Sequence, residues 1–370
     1  MKIAIDLTSL NDNFTGLERY AYEVSHEMIK AHPDTEFICV FKGEVPGVCR
    51  HFEGYGNVSI RLIKKKGKLY TNQLILPLEM KKLAADAYYY PAFPIPLLFH
   101  EKNTYVMVAD TVCFDMPETM KTKARLFWSA GLKHSVRVCR GISVNSEYTL
   151  SNVAKYFPGN EKKAVVAYCG VDTEKFSSNE EGRAEKVRER YGLPEKYNLS
   201  LCTIEPRKNL MLLLDTYAGL KSPGRELLPL VLSGRAGWKY EGWFDEAKAV
   251  LGSDLVITGF IDDEDLPYVY RGADTFIFPT RYEGFGMPPL EALAAGTGRV
   301  LVSDIRVMKE VLGDTAVYFK ENDRAALSEA IPAAADMPRA DRTRVEENLR
   351  RFSWTESAEK IYKMITGEKR

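Results

Sequence analysis

Glu283 and Glu291 stand eight positions apart, with Gly284, Phe285 and Gly286 and then the pair Pro288-Pro289 between them. Ahead of them Phe276, Ile277 and Phe278 form an apolar, β-prone run that reads as a buried strand. Leu290–Ala295 reads as a helix, with Pro289 at its first position, where a missing N–H costs nothing, and Glu291 in its first turn. A strand, a glycine loop and a helix start present unpaired backbone N–H groups and the positive end of a helix dipole. The chemistry that suits them is the binding of a phosphorylated ligand, with a carboxylate reaching it from each side. A first-turn glutamate also gains about 0.3–1 kcal/mol from the dipole alone, so Glu291 taken singly has a purely structural reading as well.

Arg207 and Lys208 form the second constellation, between a strand ending near Thr203 and a helix starting at Leu210. A helix dipole disfavours cations at its amino end, so an anion is the better account of this pair. Arginine grips phosphate through two parallel hydrogen bonds and lysine adds a point charge. Ser233-Gly234 is another strand end turning on glycine, and Thr15-Gly16-Leu17 links a first strand to a first helix. Neither completes a G-x-G-x-x-G dinucleotide fingerprint, and no P-loop occurs. Asp262, Asp263, Glu264 and Asp265 are a candidate divalent-metal cluster on composition, but acids just ahead of Leu266-Pro267 equally favour a helix start and solubility. The second account is preferred, and no metal site is expected.

The elements that must position these groups alternate. Strands are expected at Lys2–Leu7, Phe37–Phe41, Ala87–Tyr90, Tyr105–Ala109 and Gly141–Val144, with helices at Leu17–Lys30 and Leu126–Val138. Further strands are expected near Asn198–Thr203, Leu228–Ser233, Leu255–Thr258, Thr275–Phe278 and Arg299–Ser303. Helices Leu210–Leu220, Trp243–Val250, Asp265–Arg271, Leu290–Ala295 and Arg306–Leu312 lie among them. This alternation predicts an α/β protein with parallel sheets covered on both faces. A chain of 370 residues suits two domains. The boundary falls in the polar stretch between Gly170 and Pro194. Two doubly wound domains facing a central cleft are the expected architecture: residues 1–172, and residues 173–354 with the glycine loop opening on that cleft.

An apolar fraction of 45% and a charged fraction of 28% are those of a soluble globular protein. Residues 1–172 hold 22 Lys/Arg against 18 Asp/Glu, and residues 173–370 hold 29 against 33. So mild an asymmetry argues against general nucleic-acid binding. Cys39, Cys49, Cys113, Cys139, Cys169 and Cys202 form no C-x-x-C pair, which fits unpaired thiols in a reducing cytoplasm. The opening Met1–Asp6 reads as a strand and not as a signal peptide, and no apolar run reaches transmembrane length. Membrane contact is therefore expected to be peripheral at most, at the inner face. Lys64, Lys65, Lys66 and Lys68, and the basic stretch Lys121–Arg140 with Phe127 and Trp128, are either solvated faces or seats on anionic lipid.

Over nearly its whole length the chain resembles the retaining glycosyltransferases of family four, the glycosyl transferases group 1, which have the GT-B fold of two Rossmann-like domains. The resemblance is carried by Glu205-Pro206-Arg207-Lys208-Asn209, by Gly259 with Leu266-Pro267 and residues 270–274, and by the run from Glu283 to Glu291. Val144-Asn145-Ser146, Gly170-Val171-Asp172 and Ser303-Asp304 are weaker echoes. Phe352-Ser353-Trp354 resembles the closing segment of the family, whose last helix, about residues 355–370 here, returns to the amino-terminal domain.

The resemblance implies a hexose, mannose-like or glucose-like, moved from a GDP- or UDP-sugar to a saccharide or lipid-linked saccharide acceptor of surface polysaccharide. It implies no metal and no cofactor. Arg207 and Lys208 would hold the diphosphate; Glu283 and the groups around Gly284, Phe285, Gly286 and Met287 would address sugar and phosphate. Glu291 would take the ribose hydroxyls. Ser233, Gly234 and Gly16 would complete the donor side, and the acceptor would sit near Gly16 and Asp110, the latter counted among the catalytic residues. The family often has histidine where this chain has Ala109, a second glycine where Glu18 stands, and glycine where Cys202 stands. A nucleotide-sugar epimerase of similar fold and a catalytically inactive nucleotide-sugar-binding protein are the alternatives. A dehydrogenase is disfavoured by the missing dinucleotide fingerprint.

Overall fold

The computed structural model describes residues 1–221, 227–238 and 243–368. It contains two compact units, Met1–Gly170 with Ser353–Arg370, and Val171–Phe352. Residues 369 and 370 of the expected closing helix lie outside the described residues.

The first unit is built on seven strands: β1 (Lys2–Asp6), β2 (Glu36–Lys42), β3 (Val58–Ile63), β4 (Ala87–Tyr90), β5 (Thr104–Val108), β6 (Gly141–Val144) and β7 (Ala164–Val166). They lie in the order β3-β2-β1-β4-β5-β6-β7, all parallel. The central strands are apolar on both faces because helices cover both. Ala4, Val40, Tyr90, Val106, Val108, Ile142 and Val144 are buried in one core. Burying each such aliphatic side chain is worth about 1.5–3 kcal/mol. Helix Trp354–Thr366 closes this unit. Its Trp354 ring meets Tyr20 edge-on at 5.8 Å, Tyr362 stacks on His32 at 3.4 Å, and the Tyr105 hydroxyl donates to the Ile365 carbonyl.

The second unit has six parallel strands: β8 (Tyr197–Leu201), β9 (Leu230–Ser233), β10 (Leu255–Gly259), β11 (Ala273–Phe278), β12 (Arg299–Ser303) and β13 (Val317–Phe319). Their order is β10-β9-β8-β11-β12-β13. Counted within the unit this is 3-2-1-4-5-6, so the winding reverses between β8 and β11. Outside the carboxyl ends of these two neighbours is where doubly wound sheets bind ligands.

Three strands went unexpected in the sequence, β3, β7 and β13, and each is an edge of its sheet. An edge strand need not be apolar on both faces, and β3 carries Arg61 and an exposed Leu62. The helix expected at Leu126–Val138 begins earlier, at Thr122. The helix expected at Leu290–Ala295 runs Met287–Ala295, with Gly286 as its N-cap at φ +102°. Pro288 and Pro289 are thus its second and third residues, where intrahelical N–H partners are lacking anyway. Glu291 is the fifth residue and lies beyond the first turn, contrary to expectation.

Candidate active site

The carboxyl ends of β8 and β11 carry the strongest constellation. After β8 the chain makes one turn of 3₁₀ helix, Pro206–Lys208, and then Asn209 takes the left-handed conformation at φ +57°. This short turn brings Arg207 and Lys208 back over the sheet edge. After β11, Thr280–Gly286 form the glycine loop ahead of helix Met287–Ala295. The Arg281 N–H donates to the Arg207 carbonyl at 2.9 Å, which ties the two loops together.

Glu283 is the hub. Lys208 Nζ donates to its Oε1 at 2.5 Å, and Arg207 Nη1 donates to its Oε2 at 2.9 Å. The Thr280 hydroxyl lies 2.9 Å from Glu283 Oε1 and 3.2 Å from the Arg207 carbonyl. Arg207 Nε also pairs with Glu205 at 2.6 Å, and Lys208 Nζ lies 5.2 Å over the Phe278 ring. Glu283 and Lys208 are both buried, each with 7% exposure. Neither solvated cations nor a lone first-turn acid describes this cluster. Burial alone would raise the Glu283 carboxyl, but the nearby Arg207 and Lys208 outweigh it and bring it down to about 2. Glu283 is therefore an ionised, acceptor-only group at neutral pH. Two cations face two carboxylates, so an arriving anion must compete with Glu283 for them.

The other residues expected on the donor side have varied local roles. The Phe285 ring is buried, packed edge-on against Phe352 at 5.5 Å, so what its residue offers a ligand is backbone. Because Pro288 and Pro289 have no N–H, the helix start presents fewer amides than an ordinary one, chiefly those of Gly286 and Met287. Gly286 has a structural necessity besides: a Cβ there would fall 2.3 Å from Met308 Cε. Gly234, at the end of β9, adopts φ +133°, and a Cβ on it would lie 1.8 Å from the Cys202 carbonyl oxygen. Ser233 is buried, with the Thr258 hydroxyl 2.9 Å from its Oγ. Glu291 accepts from the Tyr270 hydroxyl at 3.0 Å.

Gly16 and Asp110 belong to the other unit. Gly16 opens helix Gly16–Ala31, and the Thr15 N–H ahead of it donates to Glu18 Oε2 at 2.7 Å. Glu18 also accepts from Asn11 at 3.1 Å. Glu18 thus holds the turn. Asp110 follows β5 and accepts the Val112 N–H at 3.1 Å. Asn145, at the end of the neighbouring β6, is buried with no hydrogen-bond partner for its Oδ1 among the described residues. Asn145, Thr280, Tyr270 and Glu205 were not singled out for a role in the sequence. Thr280 had the most legible signal, three residues ahead of Glu283.

The acids at 262–265 stand at the start of helix Leu266–Gly272, as expected, and are also ion-paired. Asp265 is buried and takes Arg183 at 2.6 Å, Arg190 at 2.7 Å and the Tyr191 hydroxyl at 3.0 Å, while Asp262 pairs with Arg190 at 2.6 Å. They clamp helix Arg183–Tyr191 to helix Leu266–Gly272. Of the basic stretch at 121–140, Trp128 packs against the core of its unit.

Comparison with known proteins bears on the family and the fold. Residues 183–352 match the family model described as glycosyl transferases group 1. The chain is 27% identical over 345 residues to O-antigen chain mannosyltransferase B of Escherichia coli, covering 89% of each chain. It is 31% identical over 189 residues to the serotype-specific mannosyltransferase WbdA of Escherichia coli, covering 48% of this chain but only 22% of that protein. Among solved structures it is similar to HepE of Anabaena, crystallised with UDP and glucose, with a TM-score of 0.71, 15% identity, 99% of this chain covered and 100% of the other. The chain is thus similar to the group 1 glycosyltransferases, through residues 183–352 and through its mannosyltransferase relatives, and has a two-unit, Rossmann-like GT-B fold.

Proposed function

We propose that the chain transfers a hexose, most simply mannose, from a nucleoside diphosphate sugar to a saccharide or lipid-linked saccharide, with retention of anomeric configuration and without a metal ion. The observation that carries this reading is the meeting of Arg207, Lys208 and Glu283 where the winding of the sheet reverses, beside the amides of the 284–287 turn. The similarity to mannosyltransferases supports the choice of sugar. The reaction belongs in the cytoplasm, and six buried free thiols agree with a reducing compartment.

Donor binding proceeds by exchange. The diphosphate replaces Glu283 on Arg207 and Lys208, and the released carboxylate, still ionised, accepts hydrogen bonds from sugar hydroxyls. Negative charge grows on the β-phosphate as the glycosidic bond breaks, and fixed cations and amides stabilise that charge most in the transition state. Removing one such group typically costs roughly 3–4 kcal/mol. The acceptor hydroxyl attacks from the face the leaving group departs, and a phosphate oxygen takes its proton. Glu291 holds the ribose, oriented by Tyr270, and Asp110 serves the acceptor side.

The test is transfer from GDP-mannose, UDP-glucose and UDP-galactose to a saccharide acceptor, with product configuration read by NMR and with EDTA present or absent. Retained configuration and EDTA-resistant turnover are expected. Inverted product, loss of activity with EDTA, a trapped glycosyl-enzyme, or an epimerised sugar released from donor alone would overturn the reading.

A further inference from the structure

The helical run from Lys68 to Lys82 in the first unit leaves large apolar side chains in solvent. Leu69 is 64% exposed and Leu78 63%, and Tyr70 and Leu74 are exposed between them. Tyr70, Leu74 and Leu78 repeat every four residues, so they share one face of the run, opposite the buried Leu76 and Met80. A π-helical segment at Thr71–Ile75 widens the turn and keeps the four-residue repeat in line. The loop ahead of Phe99 joins this face: the Leu97 N–H donates to Gln73 Oε1 at 2.9 Å, and Leu97 and Leu98 are exposed, Leu98 at 63%.

Charge surrounds this apolar face with one sign. Residues 61–82 contain seven cations and a single acid, Glu79. That acid is taken by Arg61 and by Lys82. Lys64, Lys65, Lys66, Lys81 and Lys82 are exposed at the two ends of the run. Lys66 also lies 5.4 Å over the Tyr70 ring. Single exposed leucines are ordinary on a protein surface, but a contiguous patch within a basic rim marks an interaction site.

We propose that this face docks the protein on an anionic lipid bilayer, with Leu69, Tyr70, Leu74, Leu78, Leu97 and Leu98 entering the headgroup layer and the flanking lysines resting on lipid phosphates. An apolar stripe with basic ends is the pattern of a helix that lies in the interface plane. No helix among the described residues is long and apolar enough to cross a membrane, so any such contact through a helix is in the plane. This inference stands on the surface alone and does not depend on which sugar is moved.

Cosedimentation with vesicles tests it, using phosphatidylcholine alone and phosphatidylcholine mixed with phosphatidylglycerol. The full chain is expected to pellet with the mixed vesicles, less so at high salt, and not with phosphatidylcholine alone. The triple substitution Lys64→Glu, Lys65→Glu, Lys81→Glu is expected to weaken partitioning roughly a hundredfold, the equivalent of about 1 kcal/mol per lysine. Leu74→Ser with Leu78→Ser is expected to abolish stable pelleting. Both variants alter exposed side chains, and both should keep wild-type transfer to a water-soluble acceptor. Failure of the wild type to pellet with anionic vesicles, or undiminished pelleting of both variants, would overturn the proposal. So would a dimer by light scattering that the leucine substitutions dissociate, since the face would then be a contact between copies.

Discussion

Lys208 Nζ lies 2.5 Å from Glu283 Oε1, and both side chains are buried. The two residues are 75 positions apart and come from loops that leave neighbouring parallel strands. Their contact, with Arg207 on the other carboxylate oxygen, converts two separate strand ends into one site. It also means that the cations are not simply waiting for an anion. They are held in place by a carboxylate, which under the proposed function the donor displaces.

Breaking this pair from one side should cost more than replacing both partners. Lys208→Met leaves a buried carboxylate with Arg207 as its one remaining cation among the described residues, and such changes typically cost about 3–5 kcal/mol. Adding Glu283→Gln to Lys208→Met should restore part of the lost stability. Denaturant unfolding of the two single variants and the double checks this, and strictly additive losses would contradict it.

The pH dependence follows from the same carboxylate. Glu283 titrates in the folded protein near 2, below its usual 4.5. A lowered folded-state value means that its contribution to stability is fully present above about 4.5 and is lost as pH falls toward 2. The stability difference between wild type and Glu283→Gln should shrink across that window. A difference that stays constant from neutral pH down to the acid limit would show that the charge is not what matters.

Thr280 positions Glu283 through its hydroxyl, 2.9 Å from Oε1. Thr280→Val keeps the volume and removes the hydroxyl next to Glu283 Oε1. A hydrogen bond to a charged group is worth about 1.5–3 kcal/mol, so kcat/KM should fall at least tenfold, chiefly through a raised donor KM. Thr280→Ser should restore most of it. Wild-type activity in Thr280→Val with loss in Thr280→Ser would point to packing of the methyl group instead.

Gly234→Ala should destabilise the second unit strongly. The new methyl would meet the Cys202 carbonyl at 1.8 Å, on a backbone at φ +133° that side chains rarely adopt. Strain of this kind costs on the order of 1–3 kcal/mol before the clash is counted. A clear drop in thermal midpoint is expected, together with loss of donor binding. An unchanged midpoint would contradict the geometry of this turn.

The sequence carried the two-sheet plan because buried central strands are continuous apolar runs, and those at Ile3, Phe37, Tyr89 and Phe276 are unmistakable. Edge strands such as β3, with Arg61 among its residues, lack that mark. Arg207, Lys208 and Glu283 were each legible as chemistry-bearing residues, from strand ends followed by glycine or by a helix start. Their mutual pairing was not, because nothing in a linear order says that the loops after β8 and β11 touch. That follows only from the 3-2-1-4-5-6 strand order. Asp265 does stand at the start of helix Leu266–Gly272, as expected, but its arginine partners lie 75 and 82 residues earlier and left no mark in the linear order.

The central claim is that a sugar donor displaces Glu283 from Arg207 and Lys208, and a crystal structure with a nucleoside diphosphate sugar tests it most directly. The account predicts diphosphate oxygens about 3 Å from the Arg207 guanidinium and from Lys208 Nζ, with the Glu283 carboxylate turned onto sugar hydroxyls. A diphosphate bound elsewhere, or Glu283 still bridging both cations with donor present, would contradict it.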